Sequence, residues 1–143
     1  MSLGRVKPYE ILDHTADIGL IVYGRDLGSL FENAGQGFFD LITDLSTVRA
    51  RIERRIKLGG EAIERLMVDW LTELLYLHEV ENLLFRKFDI ESVGENGLGA
   101  VVTGEPFQEG FHEIKREVKA VTYHQIQVEK ANSGWRAQVI FDI

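Results

Sequence analysis

Val48-Arg49-Ala50-Arg51-Ile52-Glu53-Arg54-Arg55-Ile56-Lys57-Leu58, followed at once by Gly59-Gly60, is the stretch on which the fold turns. In an extended chain Val48, Ala50, Ile52, Ile56 and Leu58 share one face, and Arg49, Arg51, Glu53, Arg55 and Lys57 the other, with only Arg54 out of phase. This period of two predicts a strand with one buried face and one solvated, mostly basic face. The glycines stop it, and from 61 to about 81 the period changes. Ile63, Leu66, Met67, Trp70, Leu71, Leu74, Leu75 and Leu77 recur at helical spacing, a stripe broad enough for a helix packed across a sheet.

Working outward, residues 9–14 and 18–23 are short β-rich runs joined by the polar bend His14-Thr15-Ala16-Asp17. From 26 to about 42, Leu27, Leu30, Phe31, Ala34, Phe38 and Leu41 predict a first helix with Asp26 as its N-cap. Gly35 and Gly37 each lower its intrinsic propensity by about 1 kcal/mol relative to Ala, which packing must offset. Beyond the second helix, 84–93 and 98–103 flank Glu95-Asn96-Gly97, a strong hairpin signal. A stretch read as flexible, 105–113, carries Pro106 and Gly110. Residues 118–128 alternate with a change of phase near His124, the mark of a bulge. Ala131-Asn132-Ser133-Gly134 turns the chain into the last strand, 135–141. The order β-β-α-β-α-β-β-β-β predicts an α+β fold, a two-layer sandwich of two main helices on a mainly antiparallel or mixed sheet. With no linker, repeat or low-complexity segment in 143 residues, 1–143 is read as one domain.

Composition narrows the function classes. Hydrophobic residues at 45% and charged residues at 27% belong to a folded globular chain. The absence of Cys excludes a thiolate zinc site, an iron–sulfur cluster and a cysteine nucleophile. No apolar run approaches the ~18 residues of a membrane span, and the N-terminus lacks an apolar signal core, so a cytoplasmic location is expected. A net charge of −7 argues against a free-standing general nucleic-acid binder, whose affinity would come from neutralising phosphates.

Candidate ligands stand in separated parts of the chain, and the sequence alone does not place them together. Asp142 offers a side-chain carboxylate and Ile143 the main-chain carboxylate beside it, and Asp17 would make a third. Three gathered carboxylates repel one another and suit a hard divalent cation, calcium, magnesium or manganese rather than zinc. The plainer alternative has Asp17 shaping the bend while the last residues fray into water. His14 reads as a ligand, a proton carrier or a structural hydrogen-bonding residue; His78, His112 and His124 show no zinc spacing. In Lys119-Ala120-Val121-Thr122-Tyr123-His124-Gln125 the residue least explained by packing is Lys119. Asp69 and Glu73 lie four apart on the second helix, where surface acids are the ordinary outcome. The basic face of 49–57 would dock an acidic partner or simply protect an exposed strand from edge-to-edge association. Neither a P-loop nor a Gly-x-Ser-x-Gly elbow occurs.

Four motifs, His14-Thr15-Ala16-Asp17-Ile18-Gly19, Val68-Asp69-Trp70-Leu71-Thr72-Glu73-Leu74-Leu75-Tyr76, Lys119-Ala120-Val121-Thr122-Tyr123-His124 and Phe141-Asp142-Ile143, stand in the order found in the archease family, which the chain resembles from about residue 9 to its end. The resemblance implies a protein cofactor, not an enzyme: a transient partner of the RtcB-type tRNA-splicing ligase, promoting guanylylation of the ligase's own histidine from GTP with manganese, and so repeated turnover in exon joining. It implies metal-binding positions at Asp17, Asp142 and the terminal carboxylate of Ile143, activity-supporting roles for Lys119 and His14, and only indirect contact with tRNA halves. A metal-dependent phosphohydrolase and a chaperone-like or RNA-processing module that works by docking alone are the alternatives.

Overall fold

The computed structural model describes residues 8–13, 16–60 and 62–143. Strands β1 (Tyr9–Asp13) and β2 (Asp17–Gly24) lead into α1 (Leu27–Ile42), then a single 3-10 turn, Leu45–Thr47, and β3 (Ile52–Leu58). After α2 (Ile63–Glu81) come β4 (Leu83–Gly94), β5 (Gly97–Pro106), β6 (Ala120–Ala131) and β7 (Gly134–Asp142). All strand pairings are antiparallel. The α+β class, with two helices against antiparallel strands, is the expected one. The strands divide into two sheets, ordered β1-β2-β7-β6 and β3-β5-β4.

The two glycines of α1 explain where the helices sit. A Cβ on Gly35 would lie 2.8 Å from the Phe88 ring of β4, and one on Gly37 would lie 2.9 Å from Leu20 of β2 and 3.0 Å from Tyr9 of β1. Positions two apart in a helix face nearly opposite ways, so α1 touches one sheet on each side. The helical layer therefore has a sheet on both faces rather than one, and α2 likewise rests on β6 and on the strands of the second sheet. Such burial widens the apolar face of the helix; Leu30, Phe31, Ala34, Phe38, Phe39, Leu41 and Ile42 are all fully buried, and Ser29, Glu32, Asn33, Gln36 and Asp40 form the remaining half-buried polar stripe. One continuous core results, drawing on both sheets and both helices.

This close approach makes a stability prediction. Phe88 stacks against Phe39 at 6.0 Å and meets the edge of Trp70 at 6.4 Å, so its ring has little room to yield. In Gly35→Ala the propensity gain of about 1 kcal/mol should be outweighed by overpacking of typically about 1–3 kcal/mol. Denaturant unfolding should show a net loss; a gain would mean that the aromatic cluster can shift.

Three local expectations change. The strand read from Val48 begins only at Ile52, because Arg49 leaves the extended ladder to engage Glu105. The basic face is not simply solvated: just before the edge strand β3, Arg49 and Arg51 lie 3.0 and 3.9 Å from the Glu105 carboxylate, and on it Arg55 lies 2.6 Å from Glu91. The stretch 105–113 is a tethered turn, held by buried Glu105 and His112. The phase change near His124 is a bulge, with register slipping between Thr122 and Gln127 and Gln125 at φ 52°.

Candidate functional site

Strand register brings the start of β2 beside the end of β7. Ile18, Leu20 and Val22 of β2 and Ala137, Val139 and Phe141 of β7 are fully buried on the helix side. Alternation therefore turns Asp17 and Asp142 to the outer face of the first sheet. These two residues are direct partners in the β2–β7 ladder, so their side chains lie side by side. On the other flank of Asp142 its β6 partner is the small residue Ala120, and the Lys119 N–H donates to the Asp142 carbonyl at 2.8 Å. Ile143 packs its half-buried side chain on the core, which holds the end of the chain beside Asp142. Four of the five expected site residues, Asp17, Lys119, Asp142 and Ile143, thus gather at one end of the first sheet. The fifth, His14, lies outside the described residues.

The electrostatics of this corner are unbalanced. Among the described residues neither Asp17 nor Asp142 has an ion-pair or side-chain hydrogen-bond partner, and the exposed Lys119 ammonium is likewise unpaired. Like charges directly opposite across a ladder destabilise it, and a bound cation would relieve that. The donor set is all oxygen, which fits a hard cation such as calcium, magnesium or manganese. No three His, Cys, Asp or Glu side chains that could hold a metal ion converge among the described residues. Concavities of about 430 and 520 Å³ lie elsewhere, by the β4–β5 turn and between the β6–β7 turn and the start of α1. At the acidic corner Asp142 and Lys119 are exposed and Asp17 is half-buried.

Other titratable groups are absorbed by structure. Glu105 accepts the Arg49 N–H at 2.7 Å, the Arg49 guanidinium at 3.0 Å and His112 Nε2 at 2.9 Å. His112 Nδ1 accepts the Gln108 N–H at 2.9 Å, which fixes the tautomer with the proton on Nε2. Both ring nitrogens are occupied and the side chain is fully buried, so this carboxylate–imidazole pair cannot reach a substrate. Burial pushes the Glu105 carboxyl up, but the Arg49 N–H, the His112 ring and the Arg49 guanidinium more than offset it and hold it below the usual carboxylate range. Asp69 lies 3.9 Å from Arg65 on the surface of α2. Glu73 is raised by burial and then by the charge of Glu81. His78 contacts the Leu83 carbonyl at 3.0 Å.

Arg116, in the connection from β5 to β6, carries no sequence signal of its own. Its guanidinium donates to the Leu41 carbonyl at the end of α1 and to Asp13 at the end of β1, both at 3.2 Å. Nothing in periodicity marks it; a lone arginine in a loop shows its role only when its partners are in place.

The model of the Archease protein family matches residues 9–143. The chain belongs to the archease family. It is 43% identical over 141 residues to Protein archease of Methanosarcina mazei, covering 96% of this chain and 97% of that one. With the Methanothermobacter thermautotrophicus archease identity is 41% over 142 residues, 96% of this chain and all of the relative. The solution structure of Methanobacterium thermoautotrophicum protein 1598 superposes with a TM-score of 0.84 at 40% identity, over 96% of this chain and 100% of that one. The crystal structure of a Thermotoga maritima archease, described as a possible chaperone, matches at TM-score 0.65 and 23% identity over 97% and 98%, which bears on the fold alone. Among the described residues no helix is long and apolar enough to cross a membrane.

Proposed function

We propose that this chain is a protein cofactor of the RtcB-type tRNA-splicing ligase, promoting GTP-dependent guanylylation of the ligase's histidine and multiple turnover in exon joining. The observation that carries this reading is the direct pairing of Asp17 with Asp142, without a basic partner among the described residues, beside the Lys119 main chain. Family membership adds support through the motifs that hold these residues. Asp17, Asp142 and the carboxylate of Ile143 would hold a divalent cation, which when bound supplies positive charge next to phosphate oxygens. Lys119 presents an ammonium on the same corner, suited to orienting an anionic group. Phosphoryl transfer depends mainly on such positioning and charge, so a cofactor need not carry a nucleophile. The exposure of Asp142 and Lys119 suits transient docking on a macromolecule, and the occupied His112–Glu105 pair is not available as a hydrolytic dyad.

The test is exon joining by the ligase of the same source, with ligase limiting and RNA ends in excess. The intact chain should carry the ligase beyond one turnover, and Asp17→Ala should abolish that while remaining folded. Full stimulation by Asp17→Ala would instead favour a chaperone-like mode, the description given to the Thermotoga relative. Turnover of nucleotide or RNA by this chain alone would sink the cofactor reading in favour of a phosphohydrolase.

A further inference from the structure

We propose that Arg116 is a positioning residue for the acidic corner, its guanidinium fork locking the segment that ends in Lys119 against the end of β1, which pairs with β2 next to Asp17. This rests on the cofactor reading above and deepens it. Arg116 reaches two elements at once: Nη1 donates to the Leu41 carbonyl and Nη2 to Asp13 Oδ2. The arginine side chain is 28% exposed against 61% for Asp13, so the fork is the better-held partner. Asp13 is the last residue of β1 and pairs with Ile18, immediately after Asp17. On its other side the arginine stands three residues before Lys119, whose N–H is tied to Asp142.

The segment around it is built as a clamp. α1 has no basic residue in its own last turn, although its free carbonyls and negative end call for one. The connection from β5 to β6 supplies what the helix lacks: the Lys115 N–H donates to the Ile42 carbonyl at 2.7 Å, and the Thr43 hydroxyl donates back to the Glu113 carbonyl at 2.7 Å. Two anchors therefore fix the segment to α1. Asp40 of α1 meets both Lys115, at 3.6 Å, and the Tyr9 hydroxyl at the start of β1, at 2.8 Å, and the Arg116 fork carries the fixity to the far end of β1, next to Asp17. Because a guanidinium holds two acceptors in one rigid plane while an ammonium does not, Lys at 116 keeps the charge but not the coupling.

Charge alone and positioning predict opposite signs. Arg116 is a cation near a site proposed to hold another cation, so by simple repulsion Arg116→Ala would tighten metal binding. If the fork positions the ligands, Arg116→Ala should weaken it by roughly tenfold, the lower end of what outer-shell partners of metal ligands cost.

The experiment uses the full chain as Arg116→Ala and Arg116→Lys, with folding checked by circular dichroism. Mn²⁺ affinity is read by water-proton relaxation, and stimulation of the ligase is read separately. Both variants should stay folded, bind Mn²⁺ about tenfold more weakly and lose stimulation, and Asp13→Asn in the Arg116→Ala background should add no further loss. Unchanged or tighter Mn²⁺ binding in Arg116→Ala, with full stimulation, overturns the proposal, as does complete rescue by Arg116→Lys. Should the alanine variant not fold, the lysine variant decides alone. Failure of the unaltered chain to bind Mn²⁺ or to stimulate the ligase would reject the acidic-corner reading itself, and is told apart because it appears before any change at Arg116.

Discussion

Glu105→Ala should lower the stability of the fold by about 3 kcal/mol, because it orphans the Arg49 N–H and the His112 Nε2–H at roughly 1–3 kcal/mol each. Loss of the Arg49 ion pair adds little, since that side chain is 46% exposed and can hydrate. For a chain of this length the midpoint of thermal unfolding should fall by about 10 °C. Glu105→Gln keeps the shape and removes the charge, and it should change the response to acid. The folded Glu105 is held below its ordinary value, so its stabilisation is present above the unfolded pKa of about 4.3 and is lost as pH falls through the lower, folded value. Calorimetry from neutral pH downward should therefore show a shallower acid limb in Glu105→Gln than in the unaltered chain. Equal slopes, or an alanine variant with an unchanged midpoint, would mean that 105–113 does not depend on this cluster.

The second large effect concerns a cation. At a concentration one hundred times its dissociation constant, a ligand that binds only the folded chain adds about 2.7 kcal/mol, or roughly 8 °C in the unfolding midpoint at this size. With Mn²⁺ or Ca²⁺ the unaltered chain should show such a rise, and Asp142→Asn should show none. Without metal the order should reverse slightly, because Asp142→Asn removes a carboxylate lying directly opposite Asp17. Scanning calorimetry in chelator and in saturating cation reads both signs together. A variant that is destabilised without metal, yet still gains from it, would place the cation elsewhere.

Much of the fold is legible in the sequence because burial writes its period into the chain. The helix over 26–42 and its Asp26 cap appear as read, with the Asp26 carboxylate accepting the Ser29 N–H at 2.8 Å. The bulge in β6 is legible for the same reason, since an irregular strand must shift the phase of its side chains. What alternation cannot specify is which strand a strand will pair with, so the division into two sheets emerges only in three dimensions. Gly35 and Gly37 read along the chain as weak points of a helix, but they are where Phe88 and Leu20 approach the helix backbone. The cluster of Arg49, Glu105 and His112 was hidden because its members come from separated segments and each alone resembles a surface residue. At the site, single residues gave only candidate ligands. Family resemblance singled out Asp17, Lys119, Asp142 and Ile143, while their adjacency rests on the β2–β7 and β6–β7 registers. The Arg116 fork left no trace in either.

β7 lies between β2 and β6, although it is the last strand made. During synthesis, then, β1–β2 and β6 must wait with open edges until the final segment emerges and slides between them. Pairing of such sequence-distant strands is slow, typically in the millisecond to second range for folds rich in non-local contacts, and open edges in the interval invite association with other chains. The acidic pair exists only once that insertion is finished, so the same event that closes the sheet also brings Asp17 and Asp142 together. A chain cut before β7 would carry Asp17 with no carboxylate facing it, however well its helices had formed.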